Sequence, residues 1–61
     1  MIWKHKKGGL YRITMFCVIE SGLVPAVAYQ AVDGGGPVFI RPCSEFFDGR
    51  FRQQIEEPEI E

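Results

Sequence analysis

Sixty-one residues with seven Lys and Arg against eight Asp and Glu make one small domain of formal net charge −1, and exclude a multidomain enzyme. A hydrophobic fraction of 46%, with five Phe, two Tyr and one Trp, argues for a packed core and against a disordered chain. The charge is lopsided: Lys4, Lys6, Lys7 and Arg12 crowd the start, whereas Glu56, Glu57, Glu59 and Glu61 crowd the end. Such an asymmetry steers an anionic ligand toward the basic end.

Residues 2–6 read as a short edge strand, where lysines discourage edge-to-edge pairing. Gly8-Gly9 supplies the conformational freedom of a tight turn. Residues 10–20 are rich in β-formers. Tyr11, Ile13, Met15, Cys17 and Ile19 fall on one predicted face, Arg12, Thr14 and Glu20 on the other, with a bend or bulge near Phe16. Ser21-Gly22 marks a turn, and Pro25 restricts the start of the next strand, residues 26–32. There Val27, Tyr29 and Ala31 point inward, Ala28 and Gln30 outward.

Asp33 and three glycines form a loop that Pro37 ends, and Pro42 stops a strand over residues 38–41. Residues 43–47 fit one helical or 3₁₀ turn, with Ser44 as its cap. Asp48-Gly49 signals another turn before residues 50–54, a last short strand or a short helix. The expected architecture is all-β: a small SH3-like barrel of about five short antiparallel strands over residues 1–55, with a 3₁₀ turn or short C-terminal helix. Residues 56–61 are expected to form an acidic, flexible tail. The alternative is a three-stranded sheet with a C-terminal helix across one face. A chain this short buries only about 60% of its unfolded surface, so self-association into a homo-oligomer is expected as support.

Cys17 and Cys43 lie far apart, without a Cys-x-x-Cys pair, and His5 is the one histidine. Zinc normally takes four ligands, so neither a metal nor any other cofactor is expected. The opening lacks the apolar stretch of a signal peptide, and no run is long enough to span a bilayer. Free thiols in a reducing cytoplasm, away from membranes, are the expectation.

For catalysis, Cys17 or Cys43 as nucleophile, His5 as base and Glu20 or Glu45 as orienter are the available residues. Nothing in their spacing brings them together, and so small a barrel has little room for a water-excluding pocket, so a non-enzyme is expected. Binding has better material. Lys7 beside Gly8 joins a cation to a backbone that a ligand can approach closely. Arg41 offers a planar fork for phosphate or carboxylate, and His5, Tyr11, Tyr29 and Gln30 add stacking and hydrogen bonds. These residues predict a site for a small anionic or nucleotide-like ligand. In the bland alternative, Gly8-Gly9 is merely a turn, the tyrosines are core, and Arg41 pairs with Glu20 or Glu45.

Trp3, Phe46, Phe47 and Phe51 are more aromatics than a small core hides, and predict a second kind of surface, one for a protein partner. Trp3, Lys4, His5, Lys6 and Lys7 also interleave the chemistries used on single-stranded nucleic acid. The near-zero net charge argues against that partner.

Trp3, His5, Lys7, Gly8, Tyr11, Glu20, Tyr29, Arg41, Pro42 and then Phe46 or Phe47 follow one another in an order and spacing that resemble the DUF1653 family. This is a family of small bacterial and phage domains of unknown function. The resemblance covers residues 2 to about 52. Phe39 stands where the family usually has Trp, Ala28 where it has Val, and Gly34-Gly35-Gly36 lengthens a loop. The resemblance implies a fold and a candidate surface, without an established activity to carry over; a phage accessory protein would suit the protein-partner reading of the aromatics.

Overall fold

Turn chemistry partitions the chain into strands much as the glycines suggest. The computed structural model describes residues 1–54. It contains strands β1 (Ile2–His5), β2 (Leu10–Ile19), β3 (Val24–Ala31), β4 (Phe39–Pro42) and β5 (Phe51–Gln54), with one helical turn, α1 (Cys43–Phe46), before the last. The acidic segment 56–61 and residue 55, the last of the expected domain, lie outside the described residues.

All ladders are antiparallel, in the order β4-β3-β2-β1-β5. The five-stranded all-β expectation holds, and the three-stranded alternative does not. Placing β5 beside β1 after a helical turn is the connectivity of a small SH3-like barrel. The ladder does not close, because β4 and β5 are not hydrogen-bonded to one another.

That return of β5 overturns the expected edge position of β1, which lies between β2 and β5. The free edges belong to β4 and β5. In the β1–β2 turn the His5 amide donates to the Gly9 carbonyl at 2.8 Å, and the Gly8 amide to the His5 carbonyl at 2.7 Å. Gly8 sits at φ 109°, a conformation an L side chain resists. At the β2–β3 turn, Gly22 (φ 84°) is followed by Leu23 at φ 53°. Leu23 is the one non-glycine with positive φ among the described residues.

Cross-strand register sorts the faces. His5 opposes Phe51, Trp3 opposes Tyr11, Ile13 opposes Tyr29, and Tyr29 opposes Phe39, so these residues share the inner face. The register shifts between Ile13 and Met15, earlier than expected, leaving Thr14 as the extra residue. Beyond the bulge the pairing register inverts, although Cys17 and Ile19, expected inward, remain half-buried while Phe16 and Val18 are exposed. Met15, expected inward, is exposed, and Phe16 opposes the buried Val27 at the far end of the hairpin.

The core is Val27, Tyr29, Phe46 and Phe51, with Trp3, Tyr11, Ile13 and Cys43 packed against it. Phe46, delivered by α1, stacks on Phe51 with centroids 4.1 Å apart and planes within 10°. The expected Ser44 cap is absent; Pro42 occupies that position, without a side-chain cap. Packing of Phe46, more than capping, therefore fixes this single turn. No helix among the described residues is long and apolar enough to cross a membrane.

Candidate anion-binding cleft

The inner face holds a cleft of about 250 Å³ where the open sheet leaves a gap. The end of β1 contributes His5, the β1–β2 turn Lys7 and Gly9, and β2 Tyr11. Tyr29 comes from β3, Phe39 and Arg41 from β4, and Phe51 from β5. Five of the seven residues expected to meet a ligand therefore meet in space: His5, Lys7, Tyr11, Tyr29 and Arg41.

Arg41 is held on three sides. Its Nε–H donates to the Tyr29 hydroxyl at 3.1 Å, its guanidinium carbon lies 5.7 Å from the Phe51 ring centroid, and its Nη1 is 3.8 Å from Glu45 Oε1. The predicted pairing with Glu45 thus exists, as a long contact one helical turn away; it adds little energy at a half-exposed carboxylate. The hydrogen bond from Arg41 to Tyr29 matters more, raising the guanidinium pKa further above its ordinary value. Because Tyr29 accepts that bond, its own hydroxyl proton is left to donate elsewhere.

His5 is oriented just as specifically. The Lys7 amide donates to His5 Nδ1 at 3.0 Å, so the neutral ring carries its proton on Nε2. Its ring stands edge-on to Phe51, with centroids 4.8 Å apart. Partial desolvation, followed by the positive charges of Arg41 and Lys7, lowers its pKa below the ordinary 6.5. The cleft therefore combines one held cation (Arg41), the exposed Lys7, a neutral imidazole donor and phenolic hydroxyls against aromatic side chains. That donor set complements an anion carrying a small planar group.

Gly9 explains how Tyr11 takes its place. A Cβ at Gly9 would lie 2.9 Å from Tyr11 Cε2 and 3.1 Å from its hydroxyl, so the ring rests on bare backbone. Tyr11 also meets Tyr29 edge-to-face at 5.4 Å.

Two expected residues stand apart. Gly8 shapes the turn but does not line the cleft. Gln30 points to the other face, opposite Arg12, and its amide donates to the Gly36 carbonyl at 2.8 Å. It pins the long glycine loop. The proposed aromatic interaction surface needs correction too: Phe46 and Phe51 are buried core, and Trp3 is half-buried between Phe46 and Phe47 at 5.3 and 5.4 Å. Only Phe47 of that set is exposed. The surplus of aromatics is absorbed by ring-on-ring packing in a core built largely of aromatic side chains.

Gly9 and Phe39 line the cleft besides the expected residues, and Phe51 lines it from the core instead of an exposed interaction surface. The alternation of residues 38–41 with Arg41 already placed Phe39 on the Arg41 face. Neither cysteine lines the cleft, and both are free thiols.

A family model described as "Protein of unknown function (DUF1653)" matches residues 1–57. The chain belongs to this family, as the ordered residues from Trp3 to Phe46 or Phe47 suggested. No curated protein and no solved structure matches it.

Proposed function

We propose that this member of the DUF1653 family is a non-enzymatic binding module for a small anionic or nucleotide-like ligand. One observation carries the reading: Lys7, His5, Tyr11, Tyr29 and Arg41, spread over four elements and their turns, line a single cleft. Arg41 is already oriented by Tyr29 and Phe51, so little conformational freedom remains to be lost on binding. A volume of about 250 Å³ suits one phosphate or carboxylate with a compact planar group, set against Phe39 and Tyr29. Reaction chemistry has no comparable support, since neither free thiol borders the cleft and His5 faces aromatic and cationic neighbours.

A thermal-shift series with nucleoside monophosphates tests this reading. A ligand at a hundredfold excess over its Kd adds about 2.7 kcal/mol to stability and a correspondingly large rise in Tm. Arg41→Ala should remain folded and lose that rise. Absence of any shift with anionic ligands would remove the proposal; unfolding of Arg41→Ala would make the arginine structural.

A second reading rests on exposed apolar residues at the β2–β3 hairpin: Phe16 at 68%, Val18 at 60% and Leu23 at 74% exposure. Such a patch suits a partner protein or a second copy. Free thiols fit the reducing cytoplasm that this module is proposed to occupy. Light scattering across a concentration series checks the self-association.

A further inference from the structure

A second depression, of about 270 Å³, adjoins the cleft and shares His5 with it. It runs along the outer face of β1 and β5, where Lys4, Arg52 and Gln54 alternate with the inner-face His5, Trp3 and Phe51, and it meets the cleft round the end of the sheet at His5, with Lys6, Gly49 and Arg50 completing its lining. Together the two hollows take in six of the seven Lys and Arg of the chain; only Arg12 is outside. The near-zero net charge conceals this, because residues 1–54 carry four carboxylates, Glu20, Asp33, Glu45 and Asp48, against all seven cations.

The register makes the groove electrostatically costly when empty. Lys4 lies directly opposite Arg52 across the β1–β5 ladder. Like charges so placed repel, at Cβ separations of about 5 Å. No carboxylate among the described residues pairs with Lys4, Lys6 or Arg52; Glu45 and Asp48 are engaged with Arg50, at 3.7 and 3.1 Å. A ligand with more than one negative charge would relieve that repulsion.

We infer that the ligand of the cleft is one unit of a single-stranded nucleic acid whose neighbouring phosphates lie on the Lys4–Arg52 groove. This rests on the proposed anion site and extends it. The compact cleft, with the exposed ring of Phe39 at its side and the edges of the nearly buried Tyr29 and Phe51 as its floor, suits one unstacked base and not a duplex. The groove has no aromatic residue besides the shared His5, and so offers only charge and hydrogen bonds, as a phosphodiester requires. An inorganic polyphosphate would satisfy the groove but leave the aromatic walls without a partner.

The test compares thymidine monophosphate with oligothymidylates of two, four and eight nucleotides, using calorimetry and fluorescence anisotropy. Affinity should rise at least tenfold from the monophosphate to the tetranucleotide. The slope of log K against log salt should steepen by about 0.7 for each added phosphate contact. A double variant, Lys4→Ala with Arg52→Ala, should keep or raise its Tm, because it removes the cross-strand repulsion, keep its affinity for thymidine monophosphate and lose the gain with length. Arg41→Ala should weaken both ligands.

A length-independent affinity, a double variant that retains the gain, or equal binding of tetrapolyphosphate would overturn the inference. In the first two cases an intact monophosphate affinity would leave the small-anion reading standing. Tetranucleotide binding without monophosphate binding would support the groove and refute the monophosphate as a sufficient ligand. Loss of binding to every oligonucleotide would refute the inference outright.

Discussion

At the scale of single residues, Tyr29 joins core to site. Its ring is 5% exposed and touches Tyr11, Phe39, Phe46 and Phe51, while its hydroxyl accepts the Arg41 Nε–H. Tyr29→Phe should keep the ring packing and remove one hydrogen bond, costing about 1 kcal/mol in a denaturation experiment. Anion affinity should fall further than that loss of stability suggests, because Arg41 loses its orientation. If affinity is unchanged, the Tyr29 hydroxyl does not position the guanidinium. Phe46 has a purely structural part. Its truncation to Ala should cost about 3–5 kcal/mol, comparable to the whole stability of so small a domain, and leave little folded protein by circular dichroism. Trp3 carries a different cost. Its buried indole N–H has no partner among the described residues, so part of the gain from burying the ring is lost to desolvation.

Among the elements, the β2–β3 hairpin stores strain at a visible place. Leu23 adopts a left-handed conformation at 74% exposure, where a branched side chain gains no packing in return. Leu23→Gly should therefore stabilise the domain by about 1 kcal/mol, seen as a higher Tm. A lower Tm would mean that the leucine packs more than its exposure implies. The strands themselves were legible in sequence, since Gly8-Gly9, Ser21-Gly22 and Asp48-Gly49 each fall in a turn between elements. The pairing register after Ile13 was not. An extra residue at Thr14, whose hydroxyl donates to the Ala28 carbonyl at 3.1 Å, inverts it, and period two alone cannot reveal such an insertion. The position of β1 was equally hidden, because β5 reaches it through a pairing 46 or more residues distant in sequence. Arg41, Lys7 and Tyr11 were identifiable by chemistry; Phe51 was not, because aromatic residues in core and at surface carry the same local signal.

For the whole molecule, the charge on His5 links folding to binding. Burial and the neighbouring cations hold its pKa below 6.5 in the folded state. The unfolded chain then binds the proton more readily between 6.5 and the lower folded value. Stability is full above about 6.5 and falls as pH drops through that window. An anion in the cleft opposes this by favouring the imidazolium. In an NMR titration the His5 ring should show a depressed pKa alone and a higher one with nucleoside monophosphate; equal values would place the anion away from His5.

The unclosed ladder has a mechanical consequence. Arg41 on β4 and Phe51 on β5 face one another across a gap that no backbone hydrogen bond among the described residues spans, and the cleft occupies that gap. An occupant touching both would act as a clasp, completing through side chains the cylinder that the peptide groups leave unfinished. Amide protons of the two outermost strands should accordingly slow their deuterium uptake in concert when the clasp is fastened, while the β2–β3 tip keeps its rate.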